Sequence, residues 1–306
     1  MLPALVKPQG VEMAKTVVVL FAGIISISFA AIFIKFCDDV PAIMIATYRL
    51  SIASVILCFY YTLKGHSFKN INKRDFLLSL AGGLFLSLHF ITWISSLKYT
   101  SVASSVVLVA TNPIFVGAFS YVLLKEKQHV ELVVGIVLCF TGGIMIAMGD
   151  SGLGGVTSIG KRALIGDALA LIGALMASGY LIVGSKARER LDIVTYVTLV
   201  FTISALFLLL TSLMIGMPFA GYRPSSYLFM VLLAVVPQLI GHTSINWALK
   251  HLKTSMVAIS ILGEPVGATI LAYIFFRESV GAIQFSGIVL IFAAILIASK
   301  KGRKSQ

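Results

Sequence analysis

The sequence has few charged residues, and this scarcity determines the class of protein. Only 12% of its 306 residues are Asp, Glu, Lys or Arg, whereas 58% are hydrophobic, and the mean hydropathy is +1.01. These values lie far outside the usual range of a soluble domain. The chain is therefore predicted to be an integral membrane protein that has the lipid bilayer as its main partner.

The sequence also lacks the common motifs of enzymes, redox proteins and metal sites. Its three cysteines, Cys37, Cys58 and Cys139, form no CxxC pair, and no HExxH, GxSxG or Walker A pattern is present. These absences argue against an enzyme, against a metal or cofactor, and against direct use of ATP. The expected role of the cysteines is apolar packing.

Long apolar runs dominate the rest of the chain. Ten of them approach the length of about 20 residues that a helix needs to cross a bilayer. They cover roughly residues 16–36, 41–63, 75–97, 101–124, 129–148, 162–184, 193–215, 225–248, 254–276 and 280–299. The first run has no signal-peptide cleavage site and is interpreted as helix one. The Gly-rich stretch 149–162 is predicted to be the longest loop.

An internal repeat divides the chain into two halves. The stretch PIFVGAFSYVLLKEKQHVELVVGIVLCF (113–140) aligns without gaps on PVGATILAYIFFRESVGAIQFSGIVLIF (265–292). We therefore predict two repeats of five helices each, at 16–148 and 162–299. Because five is odd, the second repeat must enter the membrane from the opposite side. Inverted repeats of this kind are typical of transporters whose site lies between the halves.

The basic excess is explained by topology. The formal net charge is +12, and 17 of the 24 Lys and Arg residues fall on one side of the predicted spans. The positive-inside rule then places both termini in the cytoplasm, with the chain in the cytoplasmic (plasma or inner) membrane. No nucleic-acid partner is needed to account for this charge.

Four segments carry a family resemblance. They are IFIKF…PAIMIATYRL (32–50), TWISSLKYTSVASSVVLVATNPIFVGAFSYVLLKEK (92–127), GDALALIGALMASGYLIVGSK (166–186) and EPVGATILAYIFFRE (264–278). They resemble the drug/metabolite transporter superfamily, specifically its EamA-type branch. The resemblance implies ten helices in inverted five-plus-five repeats. It also implies a permease or exporter of amino acids, other metabolites or drugs.

Two ionisable residues lie inside predicted helices, where charge is costly. Arg49 corresponds to Val197 in the other repeat, and Glu264 corresponds to Asn112. Because the repeat does without them, the fold itself does not require these charges. Arg49 could face a cavity and bind a carboxylate or phosphate, or it could snorkel or tie helices together. Glu264 could exchange a proton during transport or form a static ion pair, and whether it meets Arg49 stays open.

Polar residues on the eighth helix form a second candidate group. Gln238, His242 and Asn246 are spaced i, i+4 and i+8, which places them on one face of an α-helix. They could line an aqueous path and bind the solute, or they could join helices by hydrogen bonds.

Further candidates for the cavity are His89, Trp93, Asn112 and Tyr180. His89 could relay protons or could simply be hydrogen-bonded. Trp93 and Tyr180 would suit a zwitterionic or aromatic metabolite.

Two prolines are predicted to kink helices near the site. Pro113 and Pro265 each remove one backbone donor and clash with the preceding turn. They should free or strain the carbonyls of Val109 and Ile261. Kinked helices near the midplane are where transporter sites form.

Together these features predict a secondary transporter that moves a small organic metabolite or drug by alternating access. A passive facilitator or channel is the alternative, and an intramembrane enzyme is less favoured. Arg49 favours an acidic solute without excluding a cationic one. The sequence leaves a monomer and a homodimer equally open.

Overall fold

The computed structural model describes residues 9–68, 71–124, 130–151, 158–251, 257, 260–261 and 263–299. Every regular element in these ranges is helical, as the sequence predicts. The termini, whose side of the membrane was predicted above, lie outside the described residues. The helices are α1 (Gln9–Ser28), α2 (Ala30–Phe36), α3 (Ala42–Leu63), α4 (Lys73–Ser96), α5 (Val102–Val109), α6 (Asn112–Leu124), α7 (Val130–Ser151), α8 (Ser158–Arg188), α9 (Ile193–Met214), α10 (Pro224–Leu233), a π-helix (Ala234–His242), α11 (Thr243–His251), α12 (Gly263–Phe276) and α13 (Ala282–Ser299).

Helices occupy all ten predicted positions. Within the described ranges, seven stretches are long and apolar enough to cross a membrane, namely Val18–Phe36, Ala42–Leu63, Lys73–Ser96, Val102–Phe119, Lys161–Arg188, Ile193–Met214 and Pro224–Ala248. The other three positions hold α7 and the shorter apolar helices at the end of the chain. The chain is thus a multi-pass membrane protein, and ten crossings stay a prediction.

The prediction of a long loop at 149–162 is wrong over most of its length. Helix α7 continues to Ser151, and α8 begins at Ser158 and is 31 residues long. Within this stretch, residues 152–157 lie outside the described part of the chain. Glycine alone therefore does not stop these helices, because a membrane environment favours internal hydrogen bonding of the backbone.

Clear stop and start signals mark other helix ends. Gly65 follows α3 with φ 69°, and Gly216 follows α9 with φ 68°. This is the left-handed conformation, which glycine adopts readily because it has no Cβ to clash with the backbone. At the N-termini of α4, α5 and α9, the side chains of Asn72, Ser101 and Asp192 accept backbone hydrogen bonds.

Helices α3 and α9 form an antiparallel pair, and both contribute residues to the main hydrophobic core. The Thr47 and Ser212 hydroxyls lie 3.0 Å apart, and those of Ser54 and Thr202 lie 2.7 Å apart. Residue numbers rise along one helix as they fall along the other. Hydrogen bonds between hydroxyls are a common means of joining helices in membranes.

Three further antiparallel pairs pack through glycines. Helix α7 meets α13 where Gly142 faces Gly287, and α4 meets α8 where Gly173 faces Trp93. Helix α1 meets the π-helix where Gly241 faces Ile27. Small residues at these points let the helix backbones approach closely.

Candidate functional site

A buried cavity lies between helices from both halves of the chain. Its volume is about 60 Å³, which is room for a few water molecules and too little for an organic solute. The polar and aromatic part of its lining consists of His89, Trp93, Asn112, Tyr180, His242 and Glu264. Six of the nine residues predicted for a cavity are thus brought together. Arg49, Gln238 and Asn246 do not line it.

His89 and Trp93 form one aromatic wall of the cavity. Their rings are stacked, with centroids 5.8 Å apart and planes inclined by 10°. His89 Nδ1 lies 2.9 Å from the Gly173 carbonyl oxygen. Because a carbonyl can only accept, Nδ1 carries a proton, and Nε2 is an acceptor whenever the ring is neutral. The Trp93 Nε1 donor is buried and has no hydrogen-bond partner among the described residues.

Asn112 reaches the cavity at a break in a helix. Helix α5 ends at Val109 and α6 begins at Asn112, so Pro113 stands in the first turn of a new helix. The predicted kink is therefore a full interruption, and proline is well tolerated in such a first turn. The Ser178 hydroxyl donates to the Asn112 carbonyl at 3.0 Å. Asn112 Oδ1 is buried without a partner in the described part of the chain.

Glu264 occupies the equivalent place in the second half. Helix α12 begins at Gly263, so Pro265 also stands in a first turn. The prediction that the Ile261 carbonyl is freed is wrong, because it accepts a hydrogen bond from the Glu264 N–H at 2.9 Å. Glu264 lines the cavity. Across the described ranges it makes no side-chain hydrogen bond and no ion pair within 4.0 Å.

Arg49 lies one layer behind the cavity wall. It is 0% exposed, so it does not snorkel to the membrane surface. Its Nε donates to Gln238 Oε1 at 2.8 Å, and its guanidinium lies 4.0 Å from the centroid of the Phe90 ring. Arg49 therefore joins helices in this conformation and makes no ion pair with Glu264. Its two terminal nitrogens have no hydrogen-bond partner among the described residues.

The predicted polar face of the eighth helix is altered by its backbone. Residues Ala234–His242 form a π-helix, whose turns are wider than those of the α-helix that the sequence predicted there. Gln238 contacts Arg49, His242 lines the cavity, and the Asn246 amide donates to the Tyr180 hydroxyl at 2.6 Å.

Sequence reasoning missed several residues that support the site. Phe90 packs against Arg49 and also contacts the His242 ring edge-on, with centroids 5.5 Å apart. Only its position beside His89 would have pointed to it. Pro237, inside the π-helix, was an available sign of irregular backbone.

Polar contacts join the loops at one end of the helices. Arg223 contacts Asp38 and Asp39. Burial alone would raise the pKa of the Asp39 carboxyl, but hydrogen bonds from Ser226 and the Arg223 N–H outweigh it and lower the pKa. The loop that precedes α3 is thereby tied to the loop that precedes α10.

A second contact at the same end involves Glu278. Its carboxylate lies 3.4 Å from Lys35 Nζ and accepts the Val102 N–H at 2.9 Å. It therefore caps α5 and pairs with the end of α2. Nearby, the Lys98 ammonium donates to the Cys37 carbonyl at 2.9 Å, and burial lowers the pKa of Lys98. Among the described residues no three His, Cys, Asp or Glu side chains are arranged to hold a metal ion.

Comparison with known proteins gives a consistent result. A model of the EamA-like transporter family matches residues 14–148 and again residues 164–300. The chain is 26% identical to an uncharacterized transporter of Clostridium kluyveri over 74% of this chain and 73% of that protein. It is also 26% identical to an uncharacterized transporter of Bacillus subtilis over 87% of this chain and 84% of that protein. A solved crystal structure shares the fold with a TM-score of 0.67 and 18% identity, over 94% of this chain and 98% of that one.

Proposed function

Because the chain belongs to the EamA-like transporter family, we propose that it is a secondary transporter of a small organic solute. In this proposal the solute crosses the cytoplasmic membrane by alternating access. The observation that carries the proposal is the buried cavity, which combines polar side chains from both family-model matches. Sites of this kind, between halves and beside interrupted helices, are typical of secondary transporters.

We propose further that the two matched stretches are inverted five-helix repeats. The packing of the helices supports this. Helix α1, the first of the first half, packs against the π-helix, which belongs to the third span of the second half. In the same way α8, the first helix of the second half, packs against α4, the third span of the first half. The α3/α9 and α7/α13 pairs each join a helix of the first half to the corresponding helix of the second half. Ten crossings with both termini in the cytoplasm follow, and cysteine labelling of the loops from either side of the membrane tests this topology.

The small cavity and the loop contacts suit a closed state of the transport cycle. A cavity of about 60 Å³ must widen before an organic solute can enter. Glu278 and Arg223 link both halves at one end, which the charge distribution makes the outer end. Entry from that side therefore requires these contacts to separate. Glu264 and His89 are the candidate groups for proton coupling.

The experiment that tests the proposal is solute flux in proteoliposomes that contain the purified protein. A proton-coupled secondary transporter accumulates its solute when a proton gradient is imposed, whereas a facilitator only equilibrates it. Mass spectrometry of the same samples detects any chemical conversion, which would indicate an enzyme instead. Flux that equals that of protein-free liposomes for every solute would refute the proposal.

A further inference from the structure

We propose that the protein holds one anionic phospholipid in a groove between α5, α6, α7 and α8, with an acyl chain in the groove and the phosphate beside Lys161. The groove has a volume of about 490 Å³ and shares no lining residue with the solute cavity. This site goes beyond the proposed function, because it depends neither on which solute is transported nor on what drives its transport.

The first argument is the shape of the groove. Its floor consists of buried residues, among them Leu108 and Thr111 at the interruption between α5 and α6. Its walls project outward, since Phe140 on α7 is 73% exposed and Leu164 on α8 is 46% exposed. A buried floor between projecting walls makes a concave surface, which encloses a bound molecule on several sides.

The second argument is the chemistry of the lining. Two of its side chains are polar, and both make hydrogen bonds inside the protein. The Thr111 hydroxyl donates to the Leu108 carbonyl at 2.6 Å, and Asp167 Oδ1 accepts from the Thr100 hydroxyl at 2.9 Å. The rest of the lining is hydrocarbon apart from one glycine. An empty groove would forfeit dispersion contacts, and in a bilayer an acyl chain is the material at hand to fill it.

The third argument is the length of the groove. Leu164, Ala168 and Leu171 border it on α8 at spacings of four and three residues, which places them along one side of the helix. Lys161 is exposed and lies three residues before Leu164 on the same side. From Lys161 to Leu171 the helix rises about 15 Å, which is half of the roughly 30 Å hydrocarbon core. The groove therefore matches the depth of one leaflet.

The volume of the groove agrees with a single chain. A water molecule takes up about 30 Å³ of liquid, and a methylene group is of similar size. The groove therefore holds roughly sixteen such groups. One acyl chain of ordinary length fits, and the second chain of the lipid stays in the surrounding bilayer.

The fourth argument is the charge at the open end of the groove. Lys161 lies in the first turn of α8, which begins at Ser158. Its ammonium and the positive end of the helix dipole repel each other, and both attract a phosphate group. The adjacent Arg162 is directed elsewhere, since its guanidinium lies 6.0 Å from the centroid of the Tyr99 ring. Of these two cations, Lys161 is thus the one aligned with the groove.

The lipid and the solute cavity lie on opposite sides of one helix interruption. Val109 and Asn112 line the cavity, whereas Leu108 and Thr111 line the groove. The acyl chain therefore supports the interruption from the membrane side. Because the lipid binds the folded state, it should also stabilise the protein against unfolding.

The test is native mass spectrometry of the protein released from nanodiscs that contain equal amounts of phosphatidylglycerol and phosphatidylcholine with identical acyl chains. We expect one lipid to remain on the wild type, with phosphatidylglycerol preferred. Ala168→Phe and Gly143→Leu fill the groove from opposite walls, and each should lower the retained lipid by roughly tenfold or more. Ala22→Phe is the matched control, because Ala22 is an exposed alanine of α1 outside the groove.

A second pair of variants tests the headgroup. Lys161→Gln leaves the groove open and should lower the preference for phosphatidylglycerol by about fivefold. Arg162→Gln removes the same charge one residue away and should keep most of the preference. If both variants lose it equally, or if the wild type binds both lipids alike, the assignment of the phosphate to Lys161 is overturned.

The groove itself is tested by the filling variants. If the wild type retains no more lipid than Ala168→Phe and Gly143→Leu, the retained molecules are general boundary lipid only and the inference is overturned. Thermal unfolding in detergent gives a second readout and checks that each variant folds. Added phosphatidylglycerol should raise the melting temperature of the wild type and of Ala22→Phe more than those of the filling variants. An equal rise in all four proteins would also overturn the inference.

Discussion

Replacing Gln238 by Leu is expected to destabilise the protein more than replacing Gln238 and Arg49 together. The Arg49 Nε donates to Gln238 Oε1 at 2.8 Å in a fully buried setting. A hydrogen bond to a charged group contributes about 1.5–3 kcal/mol. Gln238→Leu removes the acceptor and leaves the guanidinium with only the Phe90 ring as a partner among the described residues.

The double variant Arg49→Met/Gln238→Leu removes the stranded charge as well. Charge inside a membrane span costs about 2.5–3.5 kcal/mol on insertion scales. The guanidinium contact with Phe90, about 2 kcal/mol when desolvated, is lost in exchange. The gain exceeds the loss by about 0.5–1.5 kcal/mol, and this difference is the stability that the double variant should recover relative to Gln238→Leu.

The assay is a double-mutant cycle on the free energy of unfolding, measured by denaturant titration in bicelles. We expect a coupling of about 1.5–3 kcal/mol between the two positions. Gln284→Leu provides the control, because Gln284 is also a buried glutamine, and it donates to Ser104 Oγ at 2.8 Å. Its effect should add to that of Arg49→Met. Additive losses for Arg49 and Gln238 would refute the reasoning.

Three further perturbations follow from the packing and the caps. Glu278→Gln should lower the free energy of unfolding by about 1 kcal/mol, since it weakens a helix cap and an ion pair. Adding Lys35→Met should lower it little further, because the ion pair is already weakened. A second loss as large as the first would contradict this. Gly142→Ala should lower the free energy of unfolding by about 1–3 kcal/mol, because its Cβ would lie 2.8 Å from a backbone oxygen. Gly143→Ala should be tolerated, because the nearest atom to its Cβ would be 3.7 Å away. Equal melting temperatures for the two variants would contradict this prediction. Burial raises the pKa of Asp192, but its capping hydrogen bonds outweigh this and lower the pKa. The stability that Asp192 contributes is therefore present above its ordinary pKa of about 4 and is lost as the pH falls through the lower folded value. Asp192→Asn should flatten the pH dependence of thermal unfolding in that range, and an unchanged slope would count against the cap.

Hydropathy predicted where the helices lie because a membrane chain must satisfy its backbone internally. The ends were harder to predict, as the Gly-rich stretch at 149–162 illustrates. There the chain stays helical to Ser151 and resumes at Ser158. Composition alone therefore overestimated the loop.

The sequence indicated which residues would lie near the cavity, but it did not indicate which of them contact each other. Polar residues in an apolar chain are conspicuous, and six of the nine candidates line one cavity. Which of them face each other depends on packing between helices that are distant in sequence. The sequence left open whether Arg49 binds the solute or joins helices, and in the structure its partner is Gln238. A change from α to π hydrogen bonding has no signature in hydropathy, so the π-helix in the eighth predicted span was not foreseen.

In the proposed transport cycle, the π-helix would affect the relative free energies of the inward-open and outward-open forms. It lies in the second family-model match, whereas its counterpart in the first, α4, is α-helical throughout. Two identical inverted halves would give inward-open and outward-open forms of equal free energy. A π-helix in only one of the two halves makes these two free energies unequal. The single Arg49 and the single Glu264 have the same effect. If the protein works by the alternating access proposed above, it should rest predominantly in one of these two forms, and each turnover should begin from the same face of the membrane.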